Sequence, residues 1–438
     1  MSATLRATGG QIPAEDAGPL FRPSTRTHHR SVSDVAGGPL EGVRIVDLTT
    51  VVVGPLATQI LADHGAEVIK VESKAGDLVR VMNGRSVTPG MGAKFLHLNR
   101  NKRSIVLDLK QRAGHAALLR LLKGADVMLW NNRPQSMARM KLAYDDVRAI
   151  NPGIIYCGMF GFGQDGRYRD KPAYDTIIQG SGGMAALHHR AMGEPRFVPM
   201  VVADKVVGLI AVQMIAMALY GRTQSGQGCA IEIPMFENLV KFVLEEHMYL
   251  KTFVPPLGET GDPRLLDPIN KPLPTRDGYI CISANTDEQA FAFFDAIGRP
   301  ELKSDPRFSN IPARFAHVKD YFEIRMAALR AKTTAEWLEI FDRCDVPAMP
   351  YHTLDSLLED PHLSDIGFFE LKDHPTEGKT RSMRLPNKWS SGVRREWSPA
   401  PKLGQQSVEI LREAGYDSAA IEAMIASGAT VDGRIRKP

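Results

Sequence analysis

The sequence predicts an α/β fold with an open, mostly parallel sheet, and three observations carry that prediction. Short β-branched runs alternate with amphipathic stretches of helical length through the N-terminal half. Those runs are apolar throughout rather than at every second residue, the pattern of strands covered on both faces. The 438 residues, 43% hydrophobic and 24% charged, exceed one ordinary core and suffice for two.

Residues 1–38 are rich in Gly, Pro, Ser, Thr and Arg without periodicity, and read as a flexible tail that cannot bury enough apolar area to offset the entropy of ordering. The fold begins at Leu40. Val43 to Leu48 reads as a strand, Gly54-Pro55 opens a helix through Ala62, and Val68 to Glu72 reads as the next strand, a βαβ unit. An acidic residue ending the second strand raises a dinucleotide-binding reading. The first turn, Thr49-Thr50-Val51-Val52-Val53-Gly54-Pro55, disfavours it because the G-x-G-x-x-G loop is missing. A strand at Ser104 to Leu107, a helix around Ala113 to Lys123, a strand at Ala125 to Trp130, a helix ending at Arg139 and a strand at Ile154 to Met159 continue the alternation. Ligands of such sheets bind beyond the carboxyl ends of the strands, which gathers residues 49–54, 73–77, 131–133 and the glycine-rich loop 161–166 around one crevice.

Farther on, Val206 to Tyr220 is apolar nearly all round and reads as a buried helix with Asp204 at its mouth. A strand at Ala230 to Ile233 and a helix from Met235 to Leu250 follow. The segment Pro255 to Pro274, with six of the 29 prolines, marks a boundary. A strand at Tyr279 to Ser283 and helices near 287–297, 313–331 and 335–343 then build a smaller α/β or α+β domain. Residues 39–250 thus form the first part of the large domain, 251–277 a linker, 278–346 the small domain, 347–360 a second linker and 361–438 a C-terminal part, with a final helix near 405–414.

Composition excludes several function classes. A net charge of +4 without a dense Lys/Arg run interleaved with aromatics disfavours nucleic acid. Cys157, Cys229, Cys281 and Cys344 are far apart and form no Cys/His cluster, so neither zinc nor a disulfide framework is expected, and a reducing cytoplasm fits. No run of ~18 consecutive apolar residues indicates a membrane-spanning helix. The pairs His28-His29 and His188-His189 lack the one-turn spacing of shared metal ligands and read as surface residues. No metal site is expected.

The most suggestive stretch runs from Lys171 to Gly208, with a buried-looking Tyr174-Asp175 pair, the small-residue run Gly180 to Gly183, and Asp204. From the residues alone, Asp204 is either a cap for the helix that follows or a nucleophile, Asp175 a turn residue or a supporting acid, and Tyr174 packing or part of a site. Unperturbed, an aspartate has a pKa of ~3.9 and would be ionised without help.

The segments PLEGVRIVDLTTVVVGPLATQILADHGAEVIKVES, NKRSIVLDLK, GADVMLWNNRPQSMARM, GFGQDG, PAYDTIIQGSGG, VVADKVVG, TQSGQGCAIEIPM, PTRDGYICIS and PKLGQQSVEILREAGY resemble, in that order, the family III CoA-transferases, a group that also contains the α-methylacyl-CoA racemases. The resemblance covers residues 39 to about 420. It implies an open Rossmann-like sheet in a large domain built from both chain ends, a small domain on two linkers, and an interlocked homodimer. It further implies acyl-CoA and a small carboxylic acid as substrates, with coenzyme A entering as the thioester and no tightly bound cofactor. The family's catalytic aspartate, thirty positions after the aromatic or histidine of its AYD-like motif, falls on Asp204. Asp175 takes a supporting role. Where the racemases carry a histidine stands Tyr174, a poor proton abstractor at neutral pH, which tilts the reading from racemisation towards transfer. The implied CoA-binding positions are Val51, Val52, Ser73, Lys74, Leu107, Leu109, Asn131, Asn132 and Arg139. At two of them the chain departs from the family: Val52 replaces a glutamine, and Ser73 an arginine, leaving Lys74 as a point charge without the bidentate fork. The active-site glycine run of some formyl-CoA transferases is not evident between Gly258 and Pro274, which weakens a formyl substrate. A 2-methylacyl-CoA racemase and a CoA-binding protein without turnover are the alternatives.

Overall fold

A computed structural model describes residues 37–82, 84–390 and 397–434, so the expected N-terminal tail and His28-His29 lie outside the described residues. Six parallel strands, β1 (Arg44–Asp47), β2 (Glu67–Glu72), β3 (Lys102–Val106), β4 (Val127–Trp130), β5 (Ile155–Phe160) and β6 (Cys229–Pro234), form one sheet in the order β3-β2-β1-β4-β5-β6. The order reverses between β1 and β4, where Ile45, Val46 and Asp47 pair with Val127, Met128 and Leu129. Crossovers on both sides of that point leave a crevice beyond the strand ends.

Adjacent residues of each strand feed opposite cores. Ile45, Val127 and Ile155 face a layer made with α1 (Val53–Asp63), and later with α6 (Asp175–Ser181), α7 (Met184–Met192), α8 (Val202–Ser225) and α9 (Met235–His247). Val46, Met128 and Tyr156 face the second layer, built on α3 (Arg112–Lys123), α4 (Pro134–Arg139) and α5 (Tyr144–Arg148). The short helix α2 (Ala93–Asn99) packs beside α1.

After α9 and a stretch with little regular structure, β7 (Leu273–Pro274), β8 (Tyr279–Ile282) and β9 (Ala348–Pro350) form an antiparallel sheet. Helices α10 (Asp287–Ala296), α11 (Ile311–Ala316), α12 (Val318–Leu329) and α13 (Thr334–Arg343) surround an aromatic core of Phe293, Phe294, Phe308, Tyr321, Trp337 and Phe341. Two expectations change here. Residues 348–350, read as connection, are a strand, because backbone pairing with β8 needs no apolar signal. The helix expected over 313–331 is two helices meeting at His317, which ends one and precedes the next.

The chain continues through α14 (Leu354–Leu357), α15 (Pro361–Asp365) and the hairpin β10 (Phe369–His374) with β11 (Gly378–Met383). It then returns to the large sheet: α16 (Ser407–Glu413) and α17 (Ser418–Ala426) bring Val408, Ile410, Leu411, Ile421 and Met424 into the second core layer. The last helix, α17, went unread because its Ala-rich run has little periodicity.

Helix α8 departs from expectation in two ways. Its 24 residues include a stretch long and apolar enough to pass for a membrane span, although it packs on α1, β5 and β6. It is also only partly buried in the single chain, since Leu209, Met217 and Tyr220 are exposed.

Candidate active site

The first loop of the crevice is built by close approaches. A Cβ on Gly54 would stand 2.2 Å from the Thr49 side chain, so only glycine lets the chain turn from β1 into α1 here. A Cβ on Gly208 would stand 2.7 Å from the Val53 carbonyl oxygen, and its absence brings α8 against the start of α1. One turn earlier on α8 is Asp204.

The result is a cleft of about 400 Å³ at the strand ends, lined among others by Val51, Val52, Asn131, Asn132, Tyr174 and Asp204. Asp204 is 8% exposed, and its carboxylate accepts no hydrogen bond from the described residues. It is the third residue of α8, whose capping position is Val201, so it is not the N-cap. The helix dipole still favours an anion in this first turn. Burial nevertheless dominates: it pushes the Asp204 carboxyl up to about 7, the nearby Asp175 charge adds to the rise, and the Lys94 cation opposes it. The expectation of a carboxylate ionised without help is therefore corrected. Lys94, on α2, was invisible to sequence reasoning because nothing local ties it to a residue 110 positions away.

The Tyr174-Asp175 pair is divided rather than buried together. Tyr174 is 68% exposed at the cleft, whereas Asp175 is buried beneath it. The Asp204 N–H donates to Asp175 Oδ2 at 3.1 Å, and Gln179 Nε2 donates to Asp175 Oδ1 at 2.6 Å. Gln179 in turn accepts from the Val198 N–H at 2.8 Å and donates to the Met200 carbonyl at 3.0 Å, tying down the segment that leads into α8. Asp175 and Gln179 thus brace the backbone of Asp204, and the Gln179 contribution was missed because a glutamine inside a helix carries no motif.

The remaining positions fall into two groups. Val51, Val52, Asn131 and Asn132 line the cleft, but the amide of Asn131 is spent on the chain: it accepts from the Thr50 N–H at 3.0 Å and donates to the Thr50 carbonyl at 2.8 Å. Ser73, Lys74, Leu107 and Leu109 sit at the ends of β2 and β3, outside the cleft lining. Lys74 and Ser73 are exposed, Lys74 lies 3.7 Å from Asp108, and Leu109 is half-buried. Leu107 is 1% exposed, in the core beneath α16 and α17, so its side chain faces no ligand. Arg139 is exposed and donates to Ser136 Oγ at 2.9 Å. The cleft cations are instead Arg133, Arg169 and Lys171. Glu72, the acid that raised the dinucleotide reading, is buried and paired with Arg80 at 2.7 Å, which leaves no carboxylate for a ribose. Gly182 packs against Leu239 and Ile178 at the join of α6 and α7, in keeping with a packing role for the small-residue run. Among the described residues no three His, Cys, Asp or Glu side chains gather as metal ligands.

Residues 40–407 match the sequence model of CoA-transferase family III. The chain belongs to this family. The transferase is 31% identical over 387 residues to a succinate–glutarate CoA-transferase of Agrobacterium fabrum, covering 86% of this chain and 95% of that one. It is 32% identical over 392 residues to a succinyl-CoA–D-citramalate CoA-transferase of Chloroflexus aurantiacus (86% and 94% covered) and 32% over 416 residues to a formyl-CoA:oxalate CoA-transferase of Rhodopseudomonas palustris (89% and 96%). Its structure is similar to that of a CaiB/BaiF family protein from Brucella suis, with a TM-score of 0.73 at 29% identity over 86% of this chain and all of the other. The family III transferase thus uses CoA thioesters as substrates.

Proposed function

We propose that this transferase moves CoA from an acyl-CoA to a dicarboxylic acid through covalent intermediates on Asp204. The observation that carries the reading is a desolvated carboxylate in the strand-end cleft that accepts no hydrogen bond from the described residues, with cations lining the same cleft. Asp204 Oδ attacks the thioester carbonyl, giving an aspartyl-acyl anhydride and CoA thiolate. The thiolate attacks the aspartyl carbonyl, forming an aspartyl-CoA thioester and freeing the donor acid. The acceptor carboxylate reverses both steps, leaving Asp204 as it began. A carboxylate with a pKa near 7 is more basic, and so more nucleophilic, than a solvated one, yet is substantially ionised at neutral pH. The dicarboxylate preference rests on relatives named for succinate, glutarate, citramalate and oxalate, and on Arg133, Arg169 and Lys171 as partners for a second carboxylate or for CoA phosphates. Incubation with succinyl-CoA, then hydroxylamine, is expected to leave a modified Asp204 by mass spectrometry. A panel of acceptor acids should favour dicarboxylates; absence of the adduct, or equal use of monocarboxylates, would remove the corresponding half of the proposal.

We further propose a homodimer. The single chain leaves Leu209, Met217 and Tyr220 of α8 exposed together with Ile177, Phe197 and Met200, an apolar surface suited to a second copy. Light scattering at micromolar concentration should give twice the chain mass, and a monomer would refute it.

A further inference from the structure

The loops that line the cleft beside α8 are held by a buried polar framework that the transfer chemistry does not use. Three consecutive residues of the first loop are each clamped. Asp47 Oδ1 accepts from the Thr49 N–H at 2.9 Å while Lys70 Nζ donates to the Thr49 carbonyl at 2.9 Å. Asn131 closes both backbone groups of Thr50. Asp77 Oδ1 accepts from the Val51 N–H at 3.0 Å and from the Val79 N–H at 3.1 Å, and its Oδ2 receives Lys70 Nζ at 2.9 Å. Lys70 and Asp77 are both excluded from solvent.

Val51 has φ +70°, a left-handed conformation that a β-branched residue avoids. Such an outlier persists only where its surroundings over-determine it. Asp77 supplies that constraint and also ties the loop after β1 to the loop after β2, whose Gly76 and Leu78 line the same cleft.

We propose that Asp77, held in place by Lys70, is a positioning residue for acyl transfer, which fixes Val51 in its left-handed conformation and keeps two loops of the cleft in register beside Asp204. This rests on the transferase reading of the cleft, but its readout is overall transfer turnover, measurable whether or not an aspartyl adduct is trapped. A missing adduct therefore counts against the nucleophile alone.

The role requires an acceptor at position 77, not its charge, and variants can separate the two. Asp77→Ala should lower kcat by about tenfold or more with less than about a threefold change in KM, the mark of misplaced reacting groups. Asp77→Asn, which keeps an acceptor oxygen, should hold kcat within about threefold while lowering the melting temperature, because buried Lys70 loses one of the carboxylates that balance it, with Asp47 and Glu72 remaining. Adding Val51→Gly to Asp77→Ala should recover turnover, since glycine adopts the left-handed conformation without a clamp. Should Asp77→Ala fail to fold, the comparison moves to two pairs that leave no charge from the Lys70-Asp77 pair: Lys70→Met/Asp77→Asn keeps the acceptor and should turn over faster than Lys70→Met/Asp77→Leu, which lacks it. Wild-type turnover in Asp77→Ala, equal loss in the alanine and asparagine variants, or equal turnover in the two neutral pairs overturns the proposal.

Discussion

Asp204→Asn is expected to lower kcat for CoA transfer by roughly four orders of magnitude or more while leaving acyl-CoA affinity within about threefold. The carboxamide fills the same space, so the cleft and the Asp175 brace survive, but it offers no anion to attack the thioester. A helix-capping role would predict only a small kinetic effect, and Val201 already occupies the capping position. Ionisation of the same group should set the wild-type pH profile. Turnover should rise with pH through about 7, where the buried carboxyl titrates. Lys94→Met should move that limb to higher pH by removing a cation, and Asp175→Asn to lower pH by removing a like charge while keeping an oxygen for the Asp204 N–H. Steady-state kcat against pH for the three proteins tests this, and a profile insensitive to both substitutions would dissociate turnover from Asp204.

The alternation of apolar strands and amphipathic helices made the parallel sheet and its strand-end crevice legible, because burial on both faces imposes a composition that any window shows. Asp204 was singled out by its place at the start of a long apolar run, and its role came only through the family resemblance, which sets the catalytic aspartate thirty positions after the position of Tyr174. What the sequence concealed depends on long-range contact. The buried polar framework under the first loop joins Asp47, Lys70 and Asp77 from different strands and loops, and read locally each is an ordinary charge. Leu107 was assigned to a ligand surface, yet α16 and α17, more than three hundred residues away, cover it. Helix α8 reads as buried in sequence because its apolar character is nearly continuous, whereas in the single chain one side remains uncovered. Periodicity reports that a face needs covering; it does not report whether the same chain covers it.

The proposed nucleophile, Asp204, should also carry a stability cost with a definite pH dependence. Asp204 has a folded-state pKa of about 7 against an ordinary value of 3.8, so the folded protein retains a proton that the unfolded chain has released. The stabilisation linked to that proton is complete below the unfolded pKa and disappears as pH rises through about 7. Above it the fold holds a desolvated carboxylate, at a linked cost of roughly 4 kcal/mol relative to the acid end. Asparagine does not titrate and avoids this cost. Relative to wild type, Asp204→Asn should therefore gain little near pH 4 and a few kcal/mol near pH 8, with the difference opening between about pH 4 and about pH 7. Urea unfolding at fixed protein concentration, compared at the two ends, measures it directly. A stability gap that stays constant with pH would trace the effect to packing around residue 204, whereas a gap that widens with pH identifies it as the electrostatic cost of keeping the Asp204 carboxylate out of water.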